Sequence, residues 1–223
     1  MREIVLDTET TGLDPDAGHR IIEIACLELV HHLPTGRNFH AYVNPERDVP
    51  QDAVAVHGLT EAFLAEHKIF SAIAGELLEF LGQARLVIHN AEFDLGFLNA
   101  ELARLGFPAI EPRRAIDTVR LARRRFPGAP ASLDALCARF NIDNSKRALH
   151  GALLDAELLA EVYLELIGGR QATMELSAGA MTAATAELRR QAARPPRPHA
   201  PSPEEEAAHA ALIDQLKRPI WRE

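Results

Sequence analysis

Three β-prone segments set the first constraint on this chain. Residues 2–8 (REIVLDT), 20–30 (RIIEIACLELV) and 37–43 (RNFHAYV) place apolar residues at strand spacing, with Gly and Pro between them, which predicts a three-stranded meander. A helix is expected from Ser71, where Ile73, Leu77, Leu78 and Leu81 fall at helical spacing behind a serine N-cap and before Gly82. RLVIHN (85–90) reads as a short buried strand feeding a helix over 92–105, which Gly106 and Pro108 stop. Residues 115–118 predict another short strand with 119–125 helical behind it. Ser132 caps a helix LDALCARF, and a long helix runs from Ala152 to Ile167, closed by Gly168-Gly169. A meander followed by βα units makes an α/β fold, a mixed sheet flanked by helices.

The 223 residues suffice for one substantial core plus appendages. The composition divides the chain into a domain over 1–169, a flexible linker over 170–206 and a tail over 207–223. ARPPRPHAPSPEEE (193–206) is Pro-rich and then acidic, and beyond it Ala211, Leu212, Leu216 and Trp221 form an apolar island with no core of its own, the pattern of a docking peptide. The start MREIVLDTETTG enters a strand pattern at once and no apolar run approaches membrane-spanning length, so the expected location is cytoplasmic, with no membrane partner. Cys26 and Cys137 sit in apolar segments without partners at zinc spacing and read as core residues.

Asp7 and Glu9 are separated by one residue at the end of the first strand, so both carboxylates point to one face. Alone, such a pair is as readily a solvated strand end. The continuation Thr10-Thr11-Gly12-Leu13 argues otherwise, because Gly12 permits a tight turn beside a ligand. Asp94 follows a strand where α/β proteins assemble sites, and Glu92 already complements the helix dipole there. In His150-Gly151-Ala152-Leu153-Leu154-Asp155 the two polar residues could not share a helical face, so His150 is expected in the preceding loop and Asp155 on the inner face. Oxygen-only clusters of carboxylates suit Mg²⁺ or Mn²⁺, and pairs of such ions clamp the oxygens in phosphodiester cleavage. A neutral imidazole can take the proton from an attacking water.

DTETTGL at Asp7, HNAEFDLGFL at His89 and HGALLDAELLAEVY at His150 resemble, in order and spacing, the three motifs of the DEDDh exonuclease family. Within it, SLDALCARFNIDNSKRALHGALLDA resembles the proofreading epsilon subunits of bacterial DNA polymerase III. The resemblance covers about residues 2–169 and implies a ribonuclease H-like fold. It implies metal ligation by Asp7, Glu9 and Asp155, a second ion served by Asp94, and His150 as general base. It further implies substrate binding by Asp7, Glu9 and Asp155, and names Thr10, Leu13, His57 and Phe93 as candidate contacts of the terminal nucleotide. His57 reads equally as a loop histidine, and Phe93 as core. The implied activity is release of nucleoside 5′-monophosphates from a single-stranded or frayed DNA 3′ end. The implied partners are the polymerase alpha subunit at the tail, with Trp221 as anchor, and a sliding clamp at Gln171–Leu176, where Leu176 stands in place of the preferred aromatic residue. A small stabilising subunit is left open.

The net charge of −8 is unusual for a protein that grips nucleic acid alone. Bound cations and a tethered partner would supply the missing attraction. Arg113, Arg114, Arg120, Arg123, Arg124 and Arg125 concentrate positive charge that fits backbone phosphates or, equally, a solvated helix face. The rival readings are a stand-alone RNA-trimming or repair exonuclease and a catalytically silent tethering module.

Overall fold

In a computed structural model of the chain, residues 1–145, 147, 149–168 and 200–215 are described. Five strands, β1 (Arg2–Thr10), β2 (Ile21–Val30), β3 (Leu33–Tyr42), β4 (Arg85–Ile88) and β5 (Ala115–Asp117), form one sheet in the order β3-β2-β1-β4-β5. The β1, β2 and β3 pairs are antiparallel, whereas β4 runs parallel to β1 and to β5. The expected meander and mixed sheet are both present. His31 and His32 turn the β2–β3 hairpin with φ of 52° and 67°, the handedness that a tight hairpin turn requires.

The central strand is buried on both faces, which explains its unbroken apolar run Ile4-Val5-Leu6. Ile4 and Leu6 pack against α3 (Phe70–Leu81) and α4 (Ala91–Arg104), while Val5 packs against α5 (Thr118–Arg125), α6 (Leu133–Phe140) and α7 (Ala152–Leu166). Cys26 belongs to the first cluster and Cys137 to the second, both buried. Each fully buried aliphatic side chain contributes about 1.5–3 kcal/mol, so these two layers fix how the sheet end meets α4 and α7.

Helix α3 starts one residue before the expected Ser71 cap. Ile69 is the N-cap, held extended by a bridge to Asn44, and Phe70 is buried in the core. Packing of that phenylalanine overrides the local serine signal. Two short helices, α1 (Gln51–His57) and α2 (Glu61–Leu64), were not expected. Helix α1 ends at Gly58, whose φ of 76° suits glycine and whose N–H donates to the Val54 carbonyl at 2.7 Å. Ser132 does cap α6, its Oγ accepting from Ala135 N–H.

The chain divides into compact units over Met1–Ala172 and Thr173–Glu223. In the second, residues Pro203–Gln215 form α8. The acidic run 204–206, read from sequence as linker, is its first turn. Ser202 Oγ accepts from Glu205 N–H at 3.2 Å and Glu205 Oε2 accepts from Ser202 N–H at 2.8 Å, a reciprocal capping box with proline at the position that tolerates it. Leu212 on this helix is exposed. The expected clamp peptide 171–176, most of the linker, Leu216 and Trp221 lie outside the described residues. No helix among the described residues is long and apolar enough to cross a membrane.

Candidate active site

Alternation along β1 sends Asp7 and Glu9 toward the α7 side of the sheet with Val5, and Thr8 toward α4. Asp7 stands opposite Ala25 and Glu9 opposite Glu23 on β2, with a register shift just beyond, between Glu9 and Thr10. Such an irregularity ends the ladder and frees the chain to turn.

That turn is tightly held. Thr10 Oγ1 donates to the Gly12 carbonyl at 2.6 Å, and Thr11 N–H donates to the Arg20 carbonyl at 2.9 Å. The Arg20 guanidinium forks onto both oxygens of buried Glu101 on α4, at 2.6 and 2.9 Å. Gly12 is required here by close approach: a Cβ would lie 2.4 Å from the His19 ring. His19 was not picked out from the sequence.

Helix α4 brings in the third acid. Its N-cap Asn90 is left-handed, with φ 67°. Asp94, 3% exposed, accepts from Thr8 N–H at 3.1 Å and from Thr8 Oγ1–H at 2.8 Å, all on Oδ1. Glu92 is exposed, which leaves it free to serve the helix dipole.

Helix α7 supplies Asp155 from its first turn, 4% exposed. His150 lies in the loop before that helix, exposed, with its backbone N–H on the Val56 carbonyl at 3.1 Å. Glu9, His150 and Asp155 each offer a ligand atom within 4.8 Å of the others. The five residues expected from sequence therefore converge on one end of the sheet.

Two further residues complete the cluster. Arg147 donates from Nε and Nη2 to the two oxygens of Asp155 at 2.6 and 2.7 Å, from Nη1 to Asp134 Oδ1 at 2.8 Å, and from Nη2 to His150 Nδ1 at 2.8 Å. A guanidinium has no acceptor, so Nδ1 of His150 is the lone-pair side and the neutral ring keeps its proton on Nε2. Glu23, 2% exposed, accepts Ala152 N–H on Oε2 at 3.1 Å and pairs with His40 Nε2 through Oε1 at 2.7 Å. Neither residue could be found by periodicity, because Glu23 acts on a helix 129 residues away and Arg147 acts from a loop that has no repeating pattern.

The electrostatics follow from packing acids together. Burial raises the Asp7 carboxyl well above its ordinary value, and the charges of Asp94, Glu9, Asp155 and Glu23 push the same way. Burial, then Asp155, Glu23 and Asp94, raise Glu9 to about 8 against the opposing pull of Arg147. Asp94 rises to about 7, mainly through burial, despite the hydrogen bonds from Thr8. Carboxylates buried this close together suit hard divalent ions with oxygen ligands, whose charge would favour the ionised acids. The donor set thus fits Mg²⁺ or Mn²⁺.

Beside the acids opens a cavity of about 630 Å³, lined by Glu9, Thr10, Leu13, His57, Phe93 and His19 among others. All four candidate nucleotide contacts share it. Leu13 is 85% exposed and lines the cavity. His57 ends α1 and is buried, not a loop histidine. Its Nδ1 accepts from Leu59 N–H at 3.0 Å, so Nε2 carries the proton, and that buried donor has no partner among the described residues. Burial also lowers the His57 pKa and favours the neutral ring.

The arginine group does not act as one patch. Arg114 donates to the Gly82 and Ala84 carbonyls, and Arg125 to the Leu166 carbonyl at the end of α7. Arg113 pairs with Glu111 and Arg120 with Asp117.

An exonuclease family profile matches residues 4–163. The chain is 55% identical over 179 residues to DNA polymerase III subunit epsilon of Rickettsia felis, covering 79% of this chain and 78% of that one. It is 43% identical over 238 residues to the Escherichia coli K12 protein of the same name, covering 99% of this chain and 97% of that one. Among solved structures it is similar to the nuclease domain of 3′hExo, a DEDDh family member bound to rAMP, with TM-score 0.64 and 20% identity over 75% of this chain and 92% of that one. This last likeness shows the fold, which is ribonuclease H-like.

Proposed function

The chain belongs to the exonuclease family, in the proofreading 3′→5′ branch of DNA polymerase III epsilon subunits, and from that premise we propose how its site works and what it meets. The observation that carries the proposal is the convergence of Asp7, Glu9, Asp94 and Asp155, with His150 close to Glu9 and Asp155, beside a nucleotide-sized cavity that Glu9 lines.

The family is metal-dependent. Asp7, Glu9 and Asp155 would hold Mg²⁺ or Mn²⁺, and Asp94 would serve a second ion. When bound, the ions supply charge neutralisation at the scissile phosphate and at the attacking and leaving oxygens. Thr10, Leu13 and Phe93 seat the 3′-terminal nucleotide, and His57 offers it the unused Nε2–H. Leu13 and Phe93 provide apolar surface for the base. His150 takes the proton of the attacking water on Nδ1 once Arg147 releases it. A new P–O bond forms, the P–O3′ bond breaks, and the 3′ oxygen of the shortened strand receives a proton. The products are a nucleoside 5′-monophosphate and a DNA strand with a free 3′-OH.

An end that frays reaches this pocket at lower cost than a paired one, which favours mispaired termini. The chain's net charge of −8 argues that ions and a partner hold the DNA. That partner is the polymerase alpha subunit, reached by the tail over 207–223 with Trp221 as anchor. Gln171–Leu176 is a weak sliding-clamp contact, and the setting is cytoplasmic.

The test is a comparison of 5′-labelled DNA and RNA strands of matched sequence, with capture of the alpha subunit by the full chain. Faster loss of mispaired DNA, with capture abolished by Trp221→Ala, is expected. Preference for RNA without capture would instead mark a stand-alone trimming enzyme.

A further inference from the structure

Helix α7 begins without a cap of its own. Its N-cap is Gly151, which has no side chain to accept the free N–H groups of the first turn. Helices α5 and α6 are served locally by Asp117 and Ser132. For α7 the acceptor comes from another element, since Glu23 on β2 takes the Ala152 N–H at 3.1 Å. This contact is wholly internal: Ala152 is 0% and Glu23 2% exposed.

The position of Glu23 is fixed from two sides. Cross-strand pairing sets it directly opposite Glu9 and on the same face of the sheet. Its other oxygen is engaged by His40 Nε2 at 2.7 Å, and the His40 ring stands edge-on to Tyr42 with centroids 4.9 Å apart. Asp155 follows Ala152 by three residues, nearly one helical turn, and its own N–H closes the first turn on the Gly151 carbonyl at 2.9 Å. The strand that carries Glu9 and the helix that carries Asp155 are thereby joined through one side chain.

We propose that Glu23 is a positioning residue for the reaction: it touches neither ion nor substrate, but holds the first turn of α7 at the height and rotation that bring Asp155 to Asp7 and Glu9. The proposal rests on the reading of those three acids as metal ligands. Supporting groups of this kind typically change metal affinity about 10–100-fold when removed.

The test measures Mn²⁺ binding by calorimetry on the full chain, well below the melting temperature of each variant. Glu23→Ala should weaken Mn²⁺ binding about tenfold or more. Glu23→Gln keeps an acceptor for Ala152 and reverses the bond to His40, its amide N–H donating to the Nε2 of the Nδ1–H tautomer, so it should stay within about threefold of wild type. Ala152→Pro deletes the same hydrogen bond from the other partner. It does so at a helix position compatible with proline, behind a residue whose φ of −154° and ψ of 126° suit that neighbour. It should reproduce the loss and keep the test decisive if Glu23→Ala does not fold. Unchanged binding in Glu23→Ala, or in Ala152→Pro if that variant must stand in for it, would overturn the proposal. So would a loss in Glu23→Gln as large as in Glu23→Ala, because charge and not placement would then be responsible. Asp7→Ala serves as the control: if it too binds Mn²⁺ normally, the ligand assignment fails rather than the role of Glu23.

Discussion

The Arg147 guanidinium grips both carboxylate oxygens of Asp155, at 2.6 and 2.7 Å. The same group takes the lone pair of His150, so one side chain occupies both a candidate ligand and the candidate base. It acts as an internal counter-ion among acids that otherwise repel one another. Arg147→Ala should lower the melting temperature in EDTA by several degrees, because Asp155 loses its buried partner. The rise in melting temperature on adding Mn²⁺ should become larger than in wild type. Thermal unfolding with and without metal checks this, and an unchanged metal-induced rise would mean that the guanidinium does not compete.

Proton release should accompany metal binding. Glu9 and Asp94 titrate at about 8 and about 7, against ordinary values of 4.5 and 3.8. Across that interval the folded, metal-free protein binds more protons than the unfolded chain, so its stability falls as pH rises toward about 8. Ions require the ionised acids and reverse the trend. Calorimetry near pH 6.5 in buffers of different ionisation enthalpy should show release of about one proton or more per protein. Affinity should rise about tenfold or more between about pH 6.5 and 8.5. Affinity independent of pH would contradict the raised carboxyls.

His57 holds a buried Nε2–H with no partner among the described residues. Leaving such a donor unmade is costly, and a ligand that accepts from it recovers that cost. His57→Ala should raise KM for a single-stranded DNA 3′ end about tenfold, with a smaller effect on kcat. Steady-state kinetics on a short oligonucleotide decide it. An unchanged KM would remove His57 from the pocket's contacts.

Much of this was legible beforehand, for reasons that differ by residue. Strand period put Asp7 and Glu9 on one face, and a strand-to-helix junction marked Asp94. The loop before a strongly apolar helix separated His150 from Asp155. Helix α1 escaped notice because His57 is its one buried residue, so no apolar period existed to read. Glu23 looks like an ordinary polar position in an alternating strand, and only the hairpin register sets it opposite Glu9. Arg147 has partners on α6 and α7, a relationship no local pattern carries. Ser202 and Glu205 did show the serine-to-glutamate spacing of a capping box, but the surrounding prolines suggested a linker.

Gly12 and His19 form the floor of the first turn, with a Cβ at Gly12 falling 2.4 Å from the ring. Gly12→Ala should destabilise the protein by about 1–3 kcal/mol through overpacking, while Gly12→Ala with His19→Ala should recover most of that loss. Denaturant unfolding of the single and double variants checks the coupling. Equal stability of Gly12→Ala in the presence and absence of the ring would mean that contact with His19 does not require the glycine.

The most direct measurement is Mg²⁺-dependent degradation of a 5′-labelled DNA primer with a mispaired 3′ end, by Asp7→Ala and Glu9→Ala proteins whose folding is verified by circular dichroism. Loss of degradation to background in both variants is expected, and degradation at the wild-type rate by either would contradict the assignment of these carboxylates as the anchor of the site.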